Sequence, residues 1–205
     1  MKFLLGTKDA MTQIFDEQGS AIPVTAITVT PNTVTQVKNQ ETDGYIAIQV
    51  AAGERNKKSI TKAVAGHLSK SGKETARVIR EFRVEDTANY SVGDNITVEV
   101  FEAGDMVTVS STSKGKGFQG GVKRHGFSGG RRSHGNKHAE REVGSIGAMG
   151  PQRVFKGLRG PGRMGSDRIT VKNLEVVKVD TENNRILVKG ALAGKRGDVV
   201  EIVAA

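Results

Sequence analysis

The sequence contains no cysteine. That excludes a disulfide framework, thiolate chemistry and cysteine-ligated metal centres, and it fits a reducing compartment. Aromatic residues make up only 4% of the chain and hydrophobic residues 36%, so any core must be built mostly from Val, Ile, Leu and Ala. No run of about 18 apolar residues occurs, so nothing in the sequence reads as a membrane-spanning helix. The opening Met1-Lys2-Phe3-Leu4-Leu5-Gly6-Thr7-Lys8-Asp9 holds an apolar run far too short for a signal peptide, with an acid close behind. These absences and the length of 205 residues predict a cytoplasmic protein of one domain, or of one domain with a large insertion.

What the chain has in excess is glycine, 26 residues, and positive charge, +9 overall. A basic balance of that size points to a polyanion, with an anionic membrane surface as the other candidate. The charge is not spread evenly. Residues 113–168 carry thirteen Lys and Arg against three acids, a net +10, whereas the other 149 residues hold eighteen basic and nineteen acidic residues. The same segment holds 15 of the 26 glycines and three of the four histidines. It has no apolar periodicity of either kind. It cannot bury enough apolar surface to offset its conformational entropy, so alone it should be mobile. A structureless stretch this long in a compact domain signals function or disorder.

The flanks read as short strands bounded by turn residues. Expected strands are Ile22 to Thr30, Tyr45 to Val50, Ile96 to Phe101 and Met106 to Ser110 before the basic segment. Ile169 to Val179, Ile186 to Lys189 and Val199 to Val203 follow it, with a hairpin turn at Asn183-Asn184. Lys58 to Arg80 reads as one or two short helices outside the sheet. The expected fold class is mainly β with short helices, a barrel or sandwich. Residues 1–112 and 169–205 form the body, and residues 113–168 form a long extension based on the strands 106–110 and 169–179.

Candidate chemistry is thin. Gly115-Lys116-Gly117-Phe118-Gln119-Gly120 satisfies the dinucleotide pattern G-x-G-x-x-G. No helix is expected after it, because Gly121, Gly126, Gly129 and Gly130 come next. The acid needed about 20 residues on is at best Glu140, inside the basic segment. His134 and His138, with His125 nearby, are spaced like zinc ligands, but Arg131, Arg132, Lys137 and Arg141 would repel a dication. No nucleophile elbow frames a serine, and acids are too sparse for a carboxylate pair. The expectation is no enzyme, no metal, no cofactor and no small-molecule substrate.

The bland reading of the basic segment is a solvated run that only raises solubility. Its texture argues otherwise. Lys and Arg are interleaved with glycine, which lets backbone approach phosphate, and with single Phe residues that can stack on unpaired bases. A membrane-surface peptide would show an amphipathic helix with an apolar stripe, and none is present. Composition therefore describes an RNA-binding body with a penetrating arm. A general nucleic-acid chaperone and a nucleotide-binding enzyme are the rival classes.

Ser113-Lys114-Gly115-Lys116-Gly117-Phe118-Gln119-Gly120-Gly121-Val122-Lys123-Arg124-His125-Gly126-Phe127 closely resembles the universal large-subunit ribosomal protein family three (uL-three) in its bacterial form. The resemblance continues through Gly144-Ser145-Ile146-Gly147, Val154-Phe155-Lys156-Gly157, Gly162-Arg163-Met164-Gly165 and Val188-Lys189-Gly190. Upstream it includes Leu5-Gly6-Thr7-Lys8, Met11-Thr12-Gln13-Ile14-Phe15, Asp43-Gly44-Tyr45 and Gly66-His67-Leu68, so it covers essentially the whole chain.

The resemblance implies a β-barrel like those of translation factors. It implies a long loop running through ribosomal RNA toward the peptidyl transferase centre, and binding near the 3′ end of the large-subunit RNA. It also implies an early role in subunit assembly, contacts with neighbouring ribosomal proteins, and a place in the cytoplasmic ribosome. One departure matters. Some bacterial relatives carry a methylated glutamine just after the Gly-Ser-Ile-Gly motif. Here that stretch is Ala148-Met149-Gly150-Pro151-Gln152-Arg153, with its glutamine displaced, so the modification is not carried over.

The expected RNA-binding residues follow. Lys114, Lys116, Lys123, Arg124, Arg131, Arg132, Lys137, Arg153, Lys156, Arg159 and Arg163 neutralise phosphates. Phe118, Phe127, His125 and His134 stack or fill gaps. Lys62 and His67 join them from the helical stretch.

Overall fold

Strands form where an alternating segment can bury one face. In the computed structural model, which describes residues 1–205, twelve strands and three short α-helices result. The strands are β1 (Phe3–Phe15), β2 (Ala21–Thr28), β3 (Asn32–Lys38), β4 (Ala47–Ala52), β5 (Val78–Arg83) and β6 (Asn95–Ile96). They continue with β7 (Met106–Thr112), β8 (Gly117–Gln119), β9 (Gly162–Met164), β10 (Arg168–Asp180), β11 (Arg185–Lys189) and β12 (Val199–Ala204). The helices are α1 (Gln40–Asp43), α2 (Lys62–Ser69) and α3 (Gly121–His125). The chain divides into two units, Met1–Thr112 with Arg168–Ala205, and Ser113–Asp167.

The first unit is mainly β. Six antiparallel strands close a barrel in the order β1-β12-β7-β10-β11-β2, and β5-β4-β3-β6 form a second sheet. Closure removes the exposed edges that an open sheet of this size would leave. The inward residues are mostly aliphatic, as the composition requires: Val24, Ile27, Val107, Val109, Val176, Ile186, Val188, Val200 and Ile202 are all buried. Each contributes on the order of 1.5–3 kcal/mol by leaving water. The few aromatics bind the two sheets together. The Phe3 ring stacks on Phe82 at 4.6 Å, with Tyr90 at 5.9 Å.

β1 and β10, at 13 residues each, are the longest strands. The sequence predicts β10 but shows the start of β1 only as a short apolar run. β1 lacks clean alternation because it changes partners: Phe3 to Thr7 pair with β12, and the pairing with β2 shifts register between Lys8 and Met11. β3 and β5 are likewise not predicted by the sequence pattern. The expected strand Ile96 to Phe101 is corrected to the two-residue β6, followed by a 3-10 turn at Val98–Val100. The expected helical stretch is shorter than its composition suggests. It holds a 3-10 turn at Lys57–Ser59 and α2, but strand β5 begins at Val78. Its residues Val-Ile-Arg-Glu-Phe-Arg bury only Phe82 fully, which hides the strand behind its charges. The hairpin at Asn183-Asn184 joins β10 to β11, with Asn184 at φ 49° and the Asn183 amide donating to Asp180 Oδ1 at 3.1 Å.

The second unit is irregular apart from the β8–β9 pair, α3 and a 3-10 turn at Ala139–Arg141. A helix does follow the glycine-rich motif, against the sequence expectation. It is a single turn, and Gly126 ends it in the left-handed region at φ 74°. One turn tolerates glycine because its stability comes from contacts around it rather than from propensity.

Candidate nucleic-acid interface

The second unit is braced from inside. Gly117 to Gln119 pair with Gly162 to Met164. The amide of Lys116 donates to Met164 O at 2.9 Å, and that of Ser113 to Asp167 O at 2.9 Å, so the two ends of the unit are zipped together. Further along, Arg124 Nη1 donates to Gly160 O at 2.8 Å, and His125 Nε2 lies 3.2 Å from the same oxygen. The Phe127 ring sits 5.7 Å from that of His125 and covers the buried Gly121, where a Cβ would meet it at 2.8 Å.

Two glycines mark places where backbone crosses backbone. A Cβ on Gly129 would lie 2.2 Å from Glu140 O, and one on Gly165 2.2 Å from Lys114 O, with both residues at positive φ. Only glycine fits such sites. Glycine in this segment therefore builds internal crossings.

The structure sorts the sequence-derived residues into two groups. Lys114, Lys116, Lys123, Arg131, Arg132, His134, Lys137, Arg153, Lys156, Arg159 and Arg163 are exposed, and Phe118 is 76% exposed on β8. Only one ion pair occurs among these cations, Arg132 with Glu140 at 3.4 Å. Arg124, His125 and Phe127 are half-buried and engaged within the unit. Their contacts lie within the unit, to Gly160 and to one another. Lys62 and His67 lie on α2 of the first unit, where Lys62 is exposed and His67 Nε2 is hydrogen-bonded to Gln49 Oε1.

Sequence reasoning undervalues the apolar residues of this unit. Ile146, Met149 and Val154 gather, with Pro151 and Gln152, around one open cleft of about 390 Å³. Met149 is 96% exposed. Only Met149's position among small and polar residues signals this, because isolated apolar residues carry no periodic signal.

Comparison with known proteins agrees with the geometry. Residues 11–188 match the profile described as ribosomal protein L3. A protein of Corynebacterium diphtheriae named large ribosomal subunit protein uL3 is 50% identical over 206 residues, covering 100% of this chain and 94% of that protein. Its namesakes in Alcanivorax borkumensis and Methylobacillus flagellatus are 51% and 52% identical over 199 and 201 residues, each covering 96% of this chain and 94% of the relative. The family is one of structural proteins, not enzymes. The closed barrel, the basic second unit and a match spanning most of the sequence agree: this chain belongs to the ribosomal protein L3 family.

Proposed function

We propose that this chain is a structural constituent of the large subunit of the cytoplasmic ribosome. It binds near the 3′ end of the large-subunit RNA, helps nucleate subunit assembly beside neighbouring ribosomal proteins, and sends its Ser113–Asp167 arm toward the peptidyl transferase centre. The observation that carries this reading is the arm's row of exposed cations with a single internal acid partner, Glu140. Cations left without partners on a glycine-rich backbone are what phosphate neutralisation needs. Binding releases condensed counterions from the RNA, and that gain offsets the entropy of fixing the arm and its long side chains.

The test is binding to a transcript of the 3′ part of bacterial large-subunit RNA across a salt series. If about six arm cations engage phosphates, the log–log slope is roughly −4 to −5. A variant with Lys116, Lys123, Arg131 and Lys137 all changed to Gln should flatten the slope by about 3. Preference for this transcript over unrelated RNA supports the ribosomal reading. Equal binding to any RNA or DNA would instead make the chain a general nucleic-acid binder.

A further inference from the structure

A second basic feature lies in the first unit, outside the arm. Arg77, just before β5, Arg80 on β5 and Arg168 at the start of β10 line one cleft of about 260 Å³. Ser110, Ser111 and Thr112 of β7 and Glu201 of β12 complete its walls. Glu201 is the organiser. Its Oε1 accepts from Arg80 Nε at 2.8 Å and its Oε2 from Arg168 Nη2, so one carboxylate holds two guanidiniums in fixed places. Arg77 is fixed separately, donating from Nη2 to Gly197 O at 3.1 Å.

The cleft's other acid, Asp198, is occupied with the amide of Lys195 at 2.8 Å. Three guanidiniums thus face two carboxylates, and the cleft keeps a net positive charge. Each arginine has five N–H donors, of which Arg77 and Arg168 give one each to the protein and Arg80 two. Most donors remain for a ligand. Guanidinium forks match the paired oxygens of a phosphodiester in a way ammonium groups do not.

We infer that the Arg77–Arg80–Arg168 cleft is a phosphodiester-docking site through which the barrel unit grips the RNA backbone independently of the arm. This rests on the proposed RNA-binding function and adds a second anchor to it. Arginines splayed freely on a surface lose side-chain entropy on binding; here Glu201 and Gly197 have already fixed them.

The experiment uses the full chain and the same large-subunit transcript. Arg77→Gln with Arg168→Gln should reduce the salt slope by roughly 1.5, at about 0.7–0.9 for each phosphate no longer neutralised. Arg168→Lys keeps the positive charge but loses the guanidinium fork, and should keep the salt slope while weakening binding several-fold. It also serves as the test if the double variant fails to fold. Wild-type slope and affinity in the double variant, or wild-type affinity in R168K, would overturn the site while leaving the arm's role standing. If the arm variant loses its slope as expected and the double variant does not, the arm alone carries recognition. Failure of the wild-type chain to prefer this transcript would remove the ribosomal reading itself.

Discussion

The side chain of Asn32 takes both backbone hydrogen bonds of Leu5: its Oδ1 accepts the Leu5 amide at 2.7 Å, and its Nδ2 donates to the Leu5 carbonyl at 2.9 Å. Both residues are buried. Asn32 begins β3 of the second sheet and Leu5 lies in β1 of the barrel, so one amide side chain acts as a peptide stand-in between the sheets. Replacing Asn32 by Leu would strand a buried donor and a buried acceptor. The expected loss is about 2–6 kcal/mol, at roughly 1–3 for each unsatisfied group, read as a lower denaturant midpoint. A midpoint within experimental error of wild type would refute this role.

Phe3 should be the most costly aromatic to truncate. It is almost fully buried, and it stacks on Phe82 while touching Tyr90. Phe3→Ala is expected to cost about 3–5 kcal/mol, measured by urea unfolding.

Gly165→Ala tests the arm without touching the barrel. The added methyl would lie 2.2 Å from Lys114 O, at a φ of +76° that disfavours alanine. The β8–β9 pair should open, seen as faster amide exchange at Lys116 and its neighbours, while the barrel's melting transition stays in place. Gly150 and Gly160, where a Cβ meets nothing within 4 Å, should accept alanine silently. Equal effects at all three positions would mean that the backbone crossing is not what holds the arm's root.

Acid should weaken the first unit partly through Asp105. The Lys2 ammonium, 2.8 Å away, and the Glu102 amide hold its carboxyl below the usual carboxylate range. A depressed folded value contributes stability that is complete above the unfolded pKa of about 3.9. That contribution is lost as pH falls through the folded value. Asp105→Asn should therefore lower stability at neutral pH and shrink its fall between about pH 4 and 2. Parallel pH–stability curves for the two proteins would rule the pair out as a contributor.

Much of the barrel was legible because β11 and β12 alternate in burial, and β2, β7 and β10 are runs rich in Val, Ile and Thr bounded by turn residues. β1 was not, since it serves two partners across a register shift and carries Thr7-Lys8-Asp9-Ala10 at the crossing. β5 was hidden by Arg80, Glu81 and Arg83. The arm's cations could be read directly from composition. Its internal bracing could not, because a contact such as Arg124 with Gly160 joins residues 36 apart without any periodic signal. The cleft at Arg77, Arg80 and Arg168 was invisible for the same reason: only the folded unit brings β5 of the second sheet near β7, β10 and β12 of the barrel.

The seam between β1 and β12 pairs Phe3 with Val203. It joins the first strand of the chain to the last, so a ribosome making this protein releases the arm well before the barrel can shut. Until residues 199–204 emerge, β1 has only β2 beside it in the barrel, and the apolar interior stands open on one side. Such distant pairings are slow and leave an unpaired strand edge exposed in the meantime. The nascent chain therefore passes through a stage with its most cationic segment complete and its core unsealed. In that interval, a polyanion that engaged the arm early would act as its chaperone.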